Sequence, residues 1–404
     1  MIEKLMILYF SGFDYRKINK NTTPYVHSLS EKYPMIKINT IPDVDLKTTM
    51  WTGCYPHEHG NWQVRLKEDR NFDTKRTQDY LPDIITTTFQ CFIHSITGKF
   101  DLSGVPDWRR RRFDICKTKN WWRNSREPFS INGVDTIFTI IGKNNYNFVY
   151  EGRFNKMISA LSKQFIKNKK LEVFDAHGSD IFTHWNIDNE EKMIDAYKKI
   201  DNCIKDLHAE CENRGITLML MSDHAQAKVE DTIDIPGKID ELGIKKNEIT
   251  YFIEASKARF WFHSDSAREK MLDYFSGEQR GTLLHFEELY KYNIKFNDDS
   301  YGEYYFITNP GTIFYPNDFY HPIGNLYLAL TNKEQRGRIQ SPIYRGYHGH
   351  LPYNECEKGF VMLLDNDYKP NRKEIEIIDI APTVLNLLGY DKPDSLQGDT
   401  PFYK

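Results

Sequence analysis

Short, uninterrupted apolar runs alternate along this chain with longer stretches of helical period. The first run, Lys4-Leu-Met-Ile-Leu-Tyr-Phe10, ends at Ser11-Gly12. A strand that is apolar on both sides suits a sheet covered on both faces, as parallel sheets are. Thr23-Pro24 predicts a helix through Tyr33, with proline at the first helical position, where its missing N–H costs nothing. Met35 to Thr40 reads as a second strand, stopped by Pro42. Further on, the pattern predicts a helix from Asn132 to Ile141 closed by Gly142, strands at Tyr146 to Tyr150 and Leu171 to Phe174, and an amphipathic helix from Phe154 to Ile166. Glu190 to Asn213 carries Met193, Tyr197, Ile200, Ile204 and Leu207 at helical spacing and stops at Gly215. Ile216 to Met221 is the cleanest buried strand and runs into Ser222-Asp-His224. Phe360 to Leu364 reads as a late strand, and Asp379 to Gly389 as a closing helix.

This β-α-β-α order predicts an α/β fold, a mostly parallel central sheet with helices on both faces. The rhythm breaks twice, near 61–130 and 235–340, and both segments read as cap inserts in a single domain spanning 1–404. In the second insert, Tyr251 to Glu254 and Arg259 to His263 predict strands, and Ser266 to Phe275 and Leu284 to Tyr290 predict helices. Ligands in open α/β sheets gather at the carboxyl ends of strands. Four such ends here carry Ser11, Asp43, the Asp180 region and Asp223-His224.

Composition narrows the function classes. The chain has 404 residues, 40% of them hydrophobic and 14% aromatic, enough for one large core or a core with a subsidiary domain. A formal net charge of −3 provides no bulk field for nucleic acid or membrane. The run Leu5 to Phe10 is too short for a signal-peptide core or a membrane span, so a cytoplasmic protein is expected. The cysteines (Cys54, Cys91, Cys116, Cys203, Cys211, Cys356) form no C-x-x-C pair, which argues against a thiolate zinc knuckle or a disulfide framework.

The stretch from Ile41 to Gly60 draws the chemistry together. Asp43 stands at a helix N-cap position directly after a strand, the helix runs to about Trp51, and Gly53 suits a left-handed terminator. A helix N-terminus so placed favours anions, through its unpaired N–H groups and its dipole. The following loop, Thr52-Gly-Cys-Tyr-Pro-His-Glu-His-Gly60, resembles the loop after the nucleophile helix of the alkaline phosphatase superfamily, in its type I phosphodiesterase and nucleotide pyrophosphatase branch. The closing helix at Asp379 to Gly389 resembles that superfamily too. In that branch a nucleophilic Thr or Ser lies nine residues before the loop's Thr. Counting back nine from Thr52 gives Asp43, so the motif is present without its hydroxyl.

The same resemblance implies two metal sites. Asp180 and His184, in Asp-x-x-x-His spacing, with the distant His348 of Tyr347-His-Gly349, match the first. Asp223-His224 matches the dipeptide of the second, whose remaining ligands are a first-strand Asp and the nucleophile. The first-strand position here is Ser11 and the nucleophile position is Asp43. The expectation is that Asp43 restores the lost carboxylate at the second ion and that a metal-activated water attacks. Two alternatives stand: Asp43 forms an acyl phosphate itself, or the second site is lost. The implied cofactors are one or two divalent ions, with zinc expected and manganese the other candidate.

Each residue also has a plainer reading. Asp223-His224 alone would be a polar loop, His57 and His59 loop hydrogen bonding, and His350 a solvated loop residue. Asp175 and His177 are runners-up to Asp180 and His184. Lys47 could hold a substrate phosphate or pair with Asp43 one turn earlier, and Thr48 and Thr49 read as helix packing. Arg109 to Arg112 beside Trp108, with Trp121-Trp122-Arg123, could clamp phosphates and stack a base; a surface facing solvent or a partner is the plainer account. The reading that follows is a metal-dependent hydrolase of phosphoric esters or anhydrides, with Asp43 and Lys47 in the chemistry and a small phosphorylated substrate, a nucleotide among the candidates. Against it stand a non-catalytic or one-metal relative that binds a phosphorylated ligand or partner, and a changed reaction on the same scaffold.

Overall fold

The computed structural model describes residues 1–42, 46–61, 66–67, 81–97, 105–106, 109, 113–114, 130–131, 133–162, 165–331, 336 and 341–404. Asp43, Trp108, Arg110 to Arg112, and Trp121 to Arg123 lie outside the described residues. The chain forms two compact units, one from residues 1–62, 118–228 and 352–404, the other from 63–117 and 229–351.

The first unit is built on a seven-stranded sheet: β1 (Leu5–Tyr9), β2 (Met35–Asn39), β3 (Tyr146–Tyr150), β4 (Leu171–Asp175), β5 (Thr217–Ser222), β6 (Gly359–Leu363) and β7 (Glu374–Glu376), in the order β7-β2-β6-β5-β1-β4-β3. All neighbours are parallel except β6, which runs antiparallel to both β2 and β5. The expected α/β architecture is therefore present. Alternation along each strand divides the core in two. Leu5, Ile7, Tyr9, Met219, Met221 and Val361 enter one cluster, while Met6, Leu8, Leu218, Leu220, Phe360 and Met362 enter the other. Helices close both faces: α1 (Pro24–Lys32), α2 (Leu46–Thr52), α3 (Phe154–Leu161), α4 (Gly178–Asn186), α5 (Glu190–Asn213) and α6 (Ile380–Leu387).

Two predicted elements are corrected. The helix expected from Asn132 begins at Ile137, because Thr136 accepts the N–H of Thr139 and caps it, while Val134–Asp135 is extended. In the second unit, Leu284 to Tyr290 is not one helix: Gly281–His285 is a strand and Phe286–Tyr292 a 3-10 turn. That strand joins Ile249–Ile253, Lys257–Phe262 and Tyr304–Thr308 in a four-stranded antiparallel sheet. Arg109, expected at a surface or on a phosphate, is buried in this unit. Its guanidinium pairs with Asp318, donates to the Tyr251 carbonyl at 3.3 Å and lies 4.0 Å above the Tyr251 ring. No helix among the described residues is long and apolar enough to cross a membrane.

Candidate metal centre

Register brings the strand ends level. Tyr9, the last residue of β1, pairs with Asp175 of β4 on one side and Met221 of β5 on the other. The chain leaving each strand therefore delivers its next residues to one place. β4 is followed by α4, in which Asp180 and His184 are one turn apart and share a face, with His184 Nε2 3.5 Å from Asp180 Oδ2. Gln226 fixes the other carboxylate oxygen, its amide donating to Asp180 Oδ1 at 2.6 Å. Gly12, at φ +73°, turns the loop after β1 where a Cβ would come within 2.8 Å of Asp180 Oδ1.

β5 delivers Asp223 and His224, both buried. The His224 Nδ1 lies 2.8 Å from the Ala225 carbonyl, which can only accept, so Nδ1 carries a proton, while Nε2 lies 3.4 Å from Asp223 Oδ2. Burial alone would push this imidazole down. The carboxylates of Asp223 and Asp180 and the carbonyl outweigh it and hold the His224 pKa above its ordinary value. Asp180 and His224, which the sequence reading assigned to different ions, bring ligand atoms within 4.8 Å of each other. His348 belongs to the second unit, half-buried, directly after the strand Gly346–Tyr347.

The carboxylate of Asp223 is surrounded by donors. Oδ1 accepts the N–H of Gly12 at 3.2 Å and that of His224 at 3.0 Å. Oδ2 accepts the Ser11 hydroxyl at 3.2 Å and the Tyr9 hydroxyl. Tyr9 carries no motif, and sequence reasoning missed it, as it missed Gln226. The one available signal is a phenol closing an otherwise apolar strand beside the departure at Ser11.

Lys47 is buried and reaches β4: Nζ is 2.7 Å from Asp175 Oδ2 and sits over the rings of Tyr9 and Tyr150, at 5.2 and 5.4 Å. Asp175 is fully buried, and Oδ1 has no hydrogen-bond partner among the described residues. Burial raises its pKa, and Lys47 only partly offsets this. His177, its expected companion, stacks on Tyr150 with centroids 5.7 Å apart. The loop after α2 behaves as its plainer reading predicts. His59 Nδ1 accepts the Asn61 N–H at 3.1 Å, so Nε2–H donates to the Thr49 hydroxyl at 3.1 Å. Asn61 donates to the Thr48 hydroxyl at 2.8 Å. His350, read either as a group reaching substrate or metal or as a solvated loop residue, is buried in the second unit and donates from Nδ1 to the Thr308 carbonyl at 2.8 Å.

No protein of curated function matches this sequence. Among solved structures, murine ectonucleotide pyrophosphatase/phosphodiesterase 5, an inactive variant in complex with AMP, superposes with a TM-score of 0.60 at 12% identity, covering 97% of this chain and 96% of that one. The human protein of the same name gives 0.55 at 14% identity, covering 96% of each chain. At such identities the likeness is one of fold. The family model for type I phosphodiesterase/nucleotide pyrophosphatase matches residues 5–261, which span β1 through β5 and carry Asp180, His184, Asp223 and His224. The chain belongs to the type I phosphodiesterase/nucleotide pyrophosphatase family.

Proposed function

We propose that this chain is a divalent-cation-dependent hydrolase of phosphoric esters or anhydrides, with a small phosphorylated substrate of nucleotide type. The observation that carries this reading is the convergence of two imidazoles on the Asp180 carboxylate, His184 with Nε2 3.5 Å from it and His224 with a ligand atom within 4.8 Å. It offers one carboxylate and two imidazoles, all buried, with His224 Nε2 lying 3.4 Å from Asp223 Oδ2. The negative surroundings that hold a proton on His224 would hold a cation equally well. Such a donor set suits zinc, with manganese the alternative. His348 is the remaining residue that the sequence resemblance assigns to this ion.

When bound, an ion of this kind polarises a phosphoryl oxygen and acidifies water. The chain's own groups supply the rest. Lys47, oriented by Asp175, presents an ammonium to an anionic phosphoryl oxygen. With an Asp at position 43 in place of the family's hydroxyl, attack falls to solvent water and no phosphoryl-enzyme forms. AMP in the fold neighbour supports a nucleotide-type substrate.

The test is turnover of bis-p-nitrophenyl phosphate and of a nucleoside 5′-p-nitrophenyl phosphate. Cleavage is expected to vanish with chelator, return with zinc or manganese, and drop roughly 100-fold or more in His184→Ala, the scale on which a lost ligand acts. Turnover indifferent to chelator and to His184→Ala would reject the reading. A second reading, binding without hydrolysis, draws on Ser11 where the family carries a carboxylate. AMP binding by calorimetry, with no turnover of either ester, would favour it.

A further inference from the structure

We infer that this chain holds one catalytic cation where its family pattern implies two, and that a hydrogen-bonded hub on Asp223 occupies the place of the second. The inference rests on the proposed cation at Asp180, His184 and His224. The donor chemistry at Asp223 does not fit a second ion. An ionised carboxylate offers roughly four lone-pair directions, and four donors meet them here: the N–H groups of Gly12 and His224 and the hydroxyls of Tyr9 and Ser11. A cation approaching Oδ2 would have to displace both hydroxyls.

Neither hydroxyl is placed to leave. Tyr9 is fully buried, its backbone is held between β4 and β5, and its ring lies edge-on to Trp51 at 6.4 Å. Ser11 is buried as well, and it brings a neutral oxygen to the position of a carboxylate.

The experiment is ion content per chain by elemental mass spectrometry, after exposure of purified protein to excess zinc chloride and removal of free ion. Wild type is expected to hold one zinc, His184→Ala to fall towards none, and Asp223→Asn to stay at one. The double variant Tyr9→Phe, Ser11→Asp removes both hydroxyl donors and restores the carboxylate, and is expected to gain a second zinc. Two zincs in wild type, with one lost in Asp223→Asn, would overturn the inference and place Asp43 at a rebuilt second site. No zinc in wild type but one in the double variant would reject the proposed function and leave the closed second site standing. No zinc in either would overturn both. Circular dichroism of each variant separates loss of an ion from loss of the fold, and the wild-type count decides the question without any variant.

Discussion

At the scale of single residues, the pairing of Lys47 with Asp175 sets the balance of the site. Asp175 is fully buried, one of its oxygens has no partner among the described residues, and burial raises its pKa. Removing the ammonium leaves that carboxylate uncompensated. Lys47→Met is therefore expected to destabilise the protein by about 3–5 kcal/mol, the usual penalty for orphaning one member of a buried ion pair. The double variant Lys47→Met, Asp175→Asn should recover most of the loss, because both charges are gone. Urea unfolding of the three variants checks this; a double variant no more stable than Lys47→Met would mean that the pair is not coupled. The sequence offered Lys47 two partners, a phosphate or Asp43 at helical spacing. It could not offer Asp175, which lies 128 positions away and meets Lys47 only through the sheet. Asp180 and His184 were legible because a spacing of four places both on one helical face. Tyr9 was not, because nothing local separates a phenol that bonds a carboxylate from one that only packs.

Among the elements, α2 shows how a loop can fix a helix. Gly53, at φ +64°, ends it, and the short helix Pro56–His59 returns His59 to Thr49 and Asn61 to Thr48. These bonds need a neutral His59, and burial pushes its pKa down to about 3. The unfolded chain, with an ordinary imidazole near 6.5, takes up the proton first, so this contribution is intact above pH about 6.5 and drains as pH falls towards 3. At pH 4.5 the linked loss is about 3 kcal/mol. His59→Gln should make stability less steep between pH 7.5 and 4.5, measured by urea unfolding at each pH. Equal slopes for the two proteins would rule out His59 as a source of the acid sensitivity. Elements with a strong period were legible: α5 matches its expected bounds, and β5 is displaced by one residue. The misreadings fell where pattern and cap disagreed. Thr136 starts its helix later than the apolar run suggests. The apolar residues between Leu283 and Tyr290 fit a strand as well as a helix, and pairing with Tyr304–Thr308 decided for the strand.

Across the whole molecule, each unit is assembled from separated stretches of chain. Local pattern could show that the β-α rhythm broke, but not that Arg109 would be buried beside Asp318, since that contact joins residues 209 positions apart. The central sheet raises the same issue of order. β6 lies between β2 and β5 and, among the described residues, is the only strand that touches both. A chain ending at Leu351 would thus leave β2 and β5 with open edges, which favour pairing between molecules. Expression of residues 1–351 should give insoluble protein, and co-expression of 352–404 should restore part of the soluble fraction; a soluble, cooperatively unfolding 1–351 fragment would contradict this. This inner strand thus leaves a ribosome only after both of the strands that it joins. During synthesis the early strands wait, with β2 and β5 not yet joined, while the 136 residues between Ser222 and Gly359 emerge. Until residue 363 arrives, the chance that a growing chain pairs with another depends on what shields those two edges.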